Sequence, residues 1–237
     1  MNGHVDQDVG TTERLLYWGS GSAPSWRVLA MLREKNLDFQ SRMIEFDTGT
    51  PSLTDGHRAH RLCAACIHGY WKRLAFDRAL MPDETGEHKS ENIMALNPRG
   101  QVPILKDGDA VLTESLAVLL YLEQQYAKPS LMPEPVTPRV LQLALESNNL
   151  HQQLLSVLLT KAEDPTFSQV PTKLKQELKL WEDHLGSGRY LCGDDFTLAD
   201  IAVGPLLLSL ERQKAAFERF PKLAAYIGVL KKQIVPA

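Results

Sequence analysis

The sequence lacks the features that mark several large classes of protein. Its 237 residues include three cysteines, an odd number with no visible disulfide framework, so we expect a reducing, cytoplasmic compartment. The best candidate for a membrane span, residues 201–210, is too short and is interrupted by Gly204 and Pro205. The first residues are polar, unlike a signal peptide. Because the net charge is only -3, neither nucleic acid nor a membrane is an expected partner.

Nucleotide-binding loops are also missing. The stretch "SGSAPSWRV" (20–28) follows the apolar run "RLLYWG" and places a Gly- and Ser-rich turn ahead of a helix. A P-loop requires a lysine after its last glycine, but Pro24, Ser25 and Trp26 stand there, and the G-x-G-x-x-G pattern is absent. Two interpretations of the turn remain. It is either a serine cap of a helix or a place where a serine hydroxyl takes part in chemistry.

The first half of the chain alternates between strand and helix patterns. The turn Asp107-Gly108 predicts a hairpin with a type I′ turn. The order β-α-β-α-β-β-α predicts a small mixed sheet backed by helices. The predicted elements are a strand at 14–18, a helix at 25–35 ended by Asn36, a strand at 39–46, a short helix closed by Asn97-Pro98, the hairpin, and a helix at 114–126.

The second half predicts helices alone. Four prolines within 127–138 indicate a linker. Thr197 and Asp200 have the spacing of a capping box at the start of a helix. We therefore expect an α/β domain over 14–126 and an all-helical domain over 139–237. Helical periodicity covers 139–161, 172–185, 198–213 and 221–233.

The chemical interpretation of the turn makes its serine a hydrogen-bond donor. A hydroxyl at a helix N-terminus can donate to an anion, and the helix dipole adds to the effect. Because a hydrogen bond to the charged form favours that form, a thiol bound there would lose its proton more readily. A charge-assisted hydrogen bond contributes about 1.5–3 kcal/mol, which could bring a thiol of pKa about 8.5 close to neutrality.

Three further segments suit a small peptide-like ligand. Pro103 stands at a strand start, where a cis peptide bond would leave the backbone of Val102 exposed as a docking edge. Glu114-Ser115 opens a helix that could bind a carboxylate and an ammonium. His88 and Lys89 could hold a second carboxylate. Each feature alone has a simpler explanation: an edge proline, a helix cap, or a solvated basic pair. Together they suit a zwitterionic thiol such as glutathione.

With these motifs the sequence resembles the cytosolic glutathione S-transferases. The matching blocks are "SGSAPSWRV", "GEHKSENIMALNPRGQVPILKDGDAVLTES" and "FTLADIAVGP". The first two are most similar to rho-class enzymes of aquatic animals, and next to the zeta and phi classes. The resemblance implies a thioredoxin-like N-terminal domain followed by an all-helical C-terminal domain.

The resemblance also implies roles for individual residues. Ser22 is implied as the catalytic hydroxyl on the glutathione sulfur, with Tyr17 and Ser20 as weaker candidates. Ser22 to Ser25 occupy the place of the thioredoxin C-x-x-C motif, so disulfide exchange is not expected. The implied glutathione-binding residues are His88 and Lys89 for the glycine carboxylate, Gln101 and Val102 for backbone docking, and Glu114 and Ser115 for the γ-glutamyl group.

Residues 48–84 depart from the family pattern. Removing them would join "MIEFD" to "TGEHKSENIM" and restore the usual connection, so we interpret them as an atypical insert. A true insertion, a splice variant and an error in the gene model all remain open as its origin.

The insert contains His57, His60, Cys63, Cys66 and His68. These residues are crowded together, whereas zinc ligands usually come as two separated pairs. The sequence shows no strand before the C-x-x-C pair, which argues against a thioredoxin-type motif. An amphipathic or disordered surface segment is therefore favoured over a metal site.

The leading hypothesis is a glutathione transferase that directs a thiolate against a small electrophile and is a homodimer. It uses glutathione as co-substrate, without a metal or another cofactor. The alternative hypothesis is a non-catalytic glutathione-binding or scaffold protein whose site is perturbed by the insert. A C-x-x-C redox or metal protein is the least favoured. The sequence does not specify the electrophile.

Overall fold

The first half of the chain folds as a mixed sheet between layers of helix. The computed structural model describes residues 14–19, 21–44, 60–62, 86–163, 171–213 and 217–234, with the backbone alone for 60–62 and 161–163. The strands are β1 Arg14–Trp18, β2 Phe39–Met43, β3 His60–Leu62, β4 Ile104–Asp107 and β5 Ala110–Leu112. They lie in the order β3-β2-β1-β4-β5. Strands β1 and β2 are parallel, and the other neighbours are antiparallel.

The helices begin and end close to their predicted positions. In the first half they are α1 Ala23–Glu34, α2 Glu91–Leu96 and α3 Ser115–Gln125, and in the second half α4 Thr137–Glu163, α5 Thr172–His184, α6 Leu198–Arg212 and α7 Pro221–Ile234. Short 3₁₀ turns cover Glu87–Lys89 and Phe217–Arg219. Among the described residues, no helix is long and apolar enough to cross a membrane. The chain thus combines an α/β half with a helical half, as the sequence predicts.

Strand β1 sends alternate side chains into two separate cores. Leu16 and Trp18 are buried in the main core, which also contains residues of α1 and of the helical half. Tyr17 packs on the other side, against a smaller cluster that includes Ile93 and Ile104. This is the period-2 alternation of a strand. It places α1 on one face of the sheet and Tyr17 on the opposite face.

The hairpin forms where predicted, but its turn is not of type I′. The ladder pairs Asp107 with Ala110, so Gly108 and Asp109 are the two central residues. Gly108 has φ +58°. Asp109 does not have a positive φ, because Asn36 is the one described non-glycine residue that does. A type I′ turn requires a positive φ at both central residues, and glycine at the first position alone is typical of type II′.

Part of the segment interpreted as an insert belongs to the sheet. The backbone of β3 lies antiparallel to β2, with Ser41 opposite His60 and Phe39 opposite Leu62. A strand therefore directly precedes Cys63, and the expectation that no strand stands before the C-x-x-C pair was wrong. The three-residue run is too short for its strand pattern to stand out in the sequence. His57, Cys63, Cys66 and His68 lie outside the described residues.

The predicted capping box organises the start of α6. The backbone N–H and the hydroxyl of Thr197 both donate to Oδ2 of Asp200, each at 2.8 Å. The N–H of Leu191 donates to the other carboxylate oxygen at 3.0 Å, and the hydroxyl of Tyr226 at 2.5 Å. Asp200 is fully buried. Burial raises the pKa of its carboxyl, while these hydrogen bonds lower it. The carboxylate of Asp200 thus connects α6, α7 and the loop before α6.

Replacing this carboxylate should destabilise the fold strongly. The substitution Asp200→Ala leaves four buried donor groups without an acceptor, at about 1–3 kcal/mol for each group. We expect the free energy of unfolding to fall by at least about 4 kcal/mol, which lowers Tm by roughly 8–16 °C. Thermal unfolding followed by circular dichroism gives the Tm of the wild type and of the variant.

The matched control is Asp183→Ala on α5. Asp183 pairs with Lys179 on an exposed helix face, and such pairs contribute about 0–1 kcal/mol. If Asp200→Ala lowered Tm no more than Asp183→Ala, the capping network would not have the structural role assigned to it.

Candidate functional site

A cavity of about 300 Å³ lies between the two halves of the chain. Four segments line it: the N-terminus of α1, the loop before β4, the N-terminus of α3, and one face of α4. Of the sequence-predicted site residues, Ser22, Gln101, Val102, Glu114 and Ser115 lie on its wall. These residues are up to 93 positions apart in the sequence, and the fold brings them to one place.

Ser22 occupies the N-cap position of α1 on the cavity wall. Its Oγ accepts a hydrogen bond from the N–H of Ser25 at 3.2 Å. A hydroxyl has one proton to donate in addition to its acceptor sites, and among the described residues no acceptor takes that proton. Ser25 is fully buried, and its own Oγ accepts from the N–H of Gly19. Of the described serines of this turn, Ser22 is therefore the one that can act on a bound ligand.

Of the two weaker candidates for the sulfur contact, Tyr17 does not share this position. Tyr17 lies on the other face of the sheet, where the guanidinium of Arg42 stands 5.8 Å from its ring centre. It is not among the described residues that line the cavity. Ser20 lies outside the described residues.

The loop before β4 is held in shape by Asn97. The side-chain amide of Asn97 donates to the carbonyl of Gln101 at 2.8 Å, and its Oδ1 accepts from the N–H of Arg99. The peptide bond between Val102 and Pro103 is cis. Gln101 and Val102 of this loop line the cavity. The sequence analysis did not assign this role to Asn97.

His88 and Lys89 stand behind the cavity wall, and neither is among the described residues that line it. The imidazole of His88 is fully buried. Lys89 is exposed, and its Nζ donates to the carbonyl of Arg99 at 3.4 Å. Both residues contact Gly100, which has φ +61° and does line the cavity. A Cβ at position 100 would stand 3.0 Å from the carbonyl oxygen of His88 and from the side chain of Lys89. The conformation and the close contacts both require glycine there.

Glu114 and Ser115 mark the start of α3. The side chain of Glu114 makes no capping hydrogen bond to the helix, so the first N–H groups of α3 remain available to a ligand. Its carboxylate forms an exposed ion pair with Arg99 at 2.7 Å. Ser115 is buried, and its Oγ accepts from Nη1 of Arg27 at 3.2 Å. Arg99 and Arg27 were both missed by the sequence analysis.

Arg27 is the principal charged group beneath the cavity. Its side chain extends from α1 and donates to Ala202 O at 2.7 Å, Ser115 Oγ at 3.2 Å and Ser147 Oγ at 2.9 Å. Burial lowers the pKa of Arg27 to about 9, so the guanidinium is still charged at neutral pH. Burial also lowers the pKa of His151 on α4 to about 4, and the charge of Arg27 acts in the same direction. His151 is therefore a neutral imidazole at pH 7.

The α4 side of the cavity is mainly apolar. Leu154, Leu155 and Leu158 line it, together with Asn148 and His151. The cavity therefore has a polar end, formed by helix N-termini and hydroxyls, and an apolar end. Among the described residues, no group of His, Cys, Asp or Glu side chains is arranged to hold a metal ion. The arrangement can bind a polar, anionic molecule next to an apolar one, with a serine hydroxyl inside the same cavity.

Comparisons with known proteins agree on one family. The models for the N-terminal and C-terminal domains of glutathione S-transferases match residues 67–130 and 164–228. The first match includes residues 67–84 of the segment interpreted as an insert. Glutathione S-transferase A of Pleuronectes platessa is 34% identical over 231 residues, which are 92% of this chain and 87% of that protein. Glutathione S-transferase 3 of Zea mays is 37% identical over 142 residues, 54% of this chain and 64% of that protein.

A solved structure extends the likeness to the fold. The glutathione S-transferase from the Antarctic clam Laternula elliptica superimposes with a TM-score of 0.70 at 29% identity. The superposition covers 94% of this chain and 91% of that one. This agreement confirms the predicted fold class, a thioredoxin-like domain followed by an all-helical domain.

The lowered pKa of His151 predicts a pH dependence of stability. Between pH 6.5, near the usual histidine pKa, and about 4, the unfolded chain holds a proton on His151 that the folded chain does not. The free energy of unfolding therefore decreases as the pH falls through this window, by about 2 kcal/mol at pH 5. The substitution His151→Gln removes this contribution, so Tm of the variant should fall less than Tm of the wild type between pH 7 and pH 5. An equal fall in both proteins would contradict the burial assigned to this imidazole.

Proposed function

The chain belongs to the glutathione S-transferase family, and on that basis we propose that the cavity binds glutathione and that Ser22 activates its thiol. The proposal depends most on one observation. The hydroxyl of Ser22 lies on the cavity wall at the N-terminus of α1, its oxygen accepts from the N–H of Ser25, and its proton has no acceptor among the described residues.

The reaction that this arrangement supports is attack of a thiolate on an electrophilic carbon. The thiol of glutathione loses its proton to solvent, and the hydroxyl of Ser22 donates a hydrogen bond to the resulting anion. The positive end of α1 adds to that stabilisation. Sulfur then supplies the electron pair of the new S–C bond, and the leaving group departs with the electrons of the bond that breaks. Ser22 forms no covalent bond in this reaction.

The polar residues of the cavity suit the remaining groups of glutathione. We propose that Ser115 and the N–H groups of the first turn of α3 bind the γ-glutamyl carboxylate, and that Glu114 binds the ammonium. The ion pair between Glu114 and Arg99 is exposed, so rearranging it for a ligand costs about 0–1 kcal/mol. The backbone of Gln101 and Val102 suits docking of the peptide in the manner of an added strand.

The glycine carboxylate is proposed to lie near Gly100. Lys89 carries an exposed charge there, and its Nζ lies beside Gly100. His88 is buried, and its imidazole is not among the described groups that line the cavity. We therefore propose that His88 acts indirectly, by positioning the 3₁₀ turn that carries Lys89.

The apolar end of the cavity supports an apolar electrophile. Leu154, Leu155 and Leu158 form a surface beside the Ser22 end on which an aromatic or aliphatic group would lose contact with water. His151 and Asn148 add two uncharged polar groups to that surface. A small molecule with an apolar body and a neutral polar substituent fits this combination.

The remaining parts of the proposal follow from the sequence motifs and the family. We propose that the protein is most similar to the rho-class enzymes and next to the zeta and phi classes. We also propose that it is a homodimer, that it is located in the cytoplasm and that it takes part in detoxification. We also propose the division into a glutathione-binding domain over 14–126, a linker over 127–138 and a helical domain over 139–237. Glutathione is the co-substrate that the family uses.

Substituting Ser22 provides the direct test of thiol activation. The substitution Ser22→Ala should lower kcat/KM for conjugation of an aryl halide by roughly 10²-fold, the usual effect of losing one positioned donor. The pKa of bound glutathione, followed by the ultraviolet absorbance of the thiolate, should rise. The KM for glutathione should change little, because the carboxylate contacts remain.

The control for this test is Ser22→Thr, which retains a hydroxyl and a good helix cap. It should recover most of the activity lost in Ser22→Ala. Both variants are assayed well below Tm, because losing the cap itself costs about 0.5–2 kcal/mol. Undiminished activity in Ser22→Ala would contradict the role of Ser22. Tight glutathione binding by a wild-type protein that conjugates no electrophile would favour the non-catalytic binding or scaffold alternative.

A further inference from the structure

An ion pair connects the chain on the two sides of the segment interpreted as an insert. Nη2 of Arg42, in β2, lies 2.7 Å from Oε1 of Glu87, the first residue of the 3₁₀ turn. The two residues are 45 positions apart in the sequence. Their side chains are 27% and 24% exposed, so the pair is partly shielded from water. This direct contact holds the 3₁₀ turn against β2, whatever the length of chain between the two residues.

An aromatic ring supports the guanidinium of Arg42. Strands β1 and β2 pair Tyr17 with Arg42, so the two side chains lie on the same face of the sheet. Cζ of Arg42 stands 5.8 Å from the centre of the Tyr17 ring, within the range of a cation–π interaction. Tyr17 itself packs against the small cluster that includes Ile93 and Ile104. The contact therefore limits the directions in which Arg42 can point and favours its pairing with Glu87.

The 3₁₀ turn carries a charge next to the cavity wall. Within the turn, Glu87 is paired, His88 is fully buried and Lys89 is exposed. A Cβ at Gly100, which lines the cavity, would stand 3.0 Å from the carbonyl oxygen of His88 and from Nζ of Lys89. So short a turn has few hydrogen bonds of its own, and its position depends on contacts with the rest of the fold. Releasing the turn from β2 would let the ammonium of Lys89 move away from the wall.

We propose that Arg42 is a positioning residue for Lys89. Its ion pair with Glu87 fixes the 3₁₀ turn, so that the ammonium of Lys89 stays beside Gly100, where a carboxylate of the ligand would bind. The inference rests on the proposed function, in which this carboxylate belongs to the glycine of glutathione. It also explains how this end of the site keeps its shape although the segment interpreted as an insert lengthens the connection from β2.

A simpler role for Arg42 would be attraction of the carboxylate through space by its positive charge. The two roles predict opposite effects for the substitution Glu87→Ala. Removing the negative charge of Glu87 would leave the charge of Arg42 uncompensated, so a through-space role predicts tighter binding of an anion. A positioning role predicts weaker binding, because the turn that carries Lys89 is released from β2. The sign of the effect therefore distinguishes the two.

The experiment compares two ligands by calorimetry at pH 7. One is glutathione, and the other is γ-glutamyl-cysteinyl-glycinamide, in which a neutral amide replaces the glycine carboxylate. We expect the wild type to bind glutathione about fivefold more tightly, the upper range for an exposed ion pair such as that of Lys89 with the carboxylate. Arg42→Met and Glu87→Ala should each reduce this preference to less than about twofold. The Kd of the amide should change by less than about twofold in both variants.

Three further variants serve as controls. Arg42→Lys retains a cation that can pair with Glu87, so it should keep the wild-type preference. Adding Arg42→Met to Lys89→Ala should change neither Kd by more than about twofold, because the residue that Arg42 positions is already absent. Arg139→Gln also removes one positive charge, but Arg139 contacts His184 in the helical half and is not among the described residues that line the cavity. It should keep the wild-type preference.

Both ways of breaking the pair are expected to leave the protein folded. The methionine in Arg42→Met retains an apolar chain over the Tyr17 ring, and a partly exposed ion pair contributes little to stability. Thermal unfolding should therefore give each variant a Tm close to that of the wild type. Because Arg42→Met and Glu87→Ala break the same pair independently, either variant alone tests the inference.

Several outcomes would overturn the inference. Tighter glutathione binding in Glu87→Ala would assign Arg42 a through-space role, and an equal loss of both ligands in Arg42→Met would assign it a structural role alone. A preference that survives in both variants would contradict any role at this site. A wild-type protein that binds the two ligands equally would refute the proposed place of the glycine carboxylate. One that binds neither would refute the proposed function itself, and this inference with it.

Discussion

The cavity depends on one buried guanidinium that connects four helices. Arg27 extends from α1 and donates hydrogen bonds to Ser115 at the start of α3, Ser147 on α4 and Ala202 on α6. The acceptors are 88, 120 and 175 positions from it in sequence. Because a buried charge is tolerated only when its hydrogen bonds are satisfied, these contacts fix the helices relative to one another. The polar end of the cavity is therefore formed by the same interaction that joins the two halves of the chain.

Local patterns explain which parts could be predicted from the sequence. The strand Arg14–Trp18 and the helices of the second half were predicted closely, because hydrophobic periodicity and capping residues are local signals. The turn that precedes α1 indicated a serine hydroxyl, but the choice of Ser22 came from the resemblance to the family, and its role stays a prediction. The fold class was likewise confirmed. The hairpin position was also predicted, but its turn type was wrong, because it depends on which residues the strands pair.

Long-range contacts explain what the sequence did not reveal. Nothing local marks Arg27, since an arginine in "SWRVLAMLREK" has the pattern of any charged residue on an amphipathic helix. Its burial results from helices that come much later in the chain. The neutral His151 is a second example, because its lowered pKa has its causes in burial and in Arg27. Strand β3 was missed for a similar reason, since its three residues are recognisable only through their pairing with β2.

A crystal structure of the protein with glutathione tests the central claim, that Ser22 and the N-terminus of α3 bind the two functional ends of one ligand. The account predicts the sulfur within hydrogen-bond distance of Ser22 Oγ, about 3 Å. It also predicts the γ-glutamyl carboxylate on Ser115, above Arg27. Glutathione bound in the opposite orientation, or outside this cavity, would contradict the account.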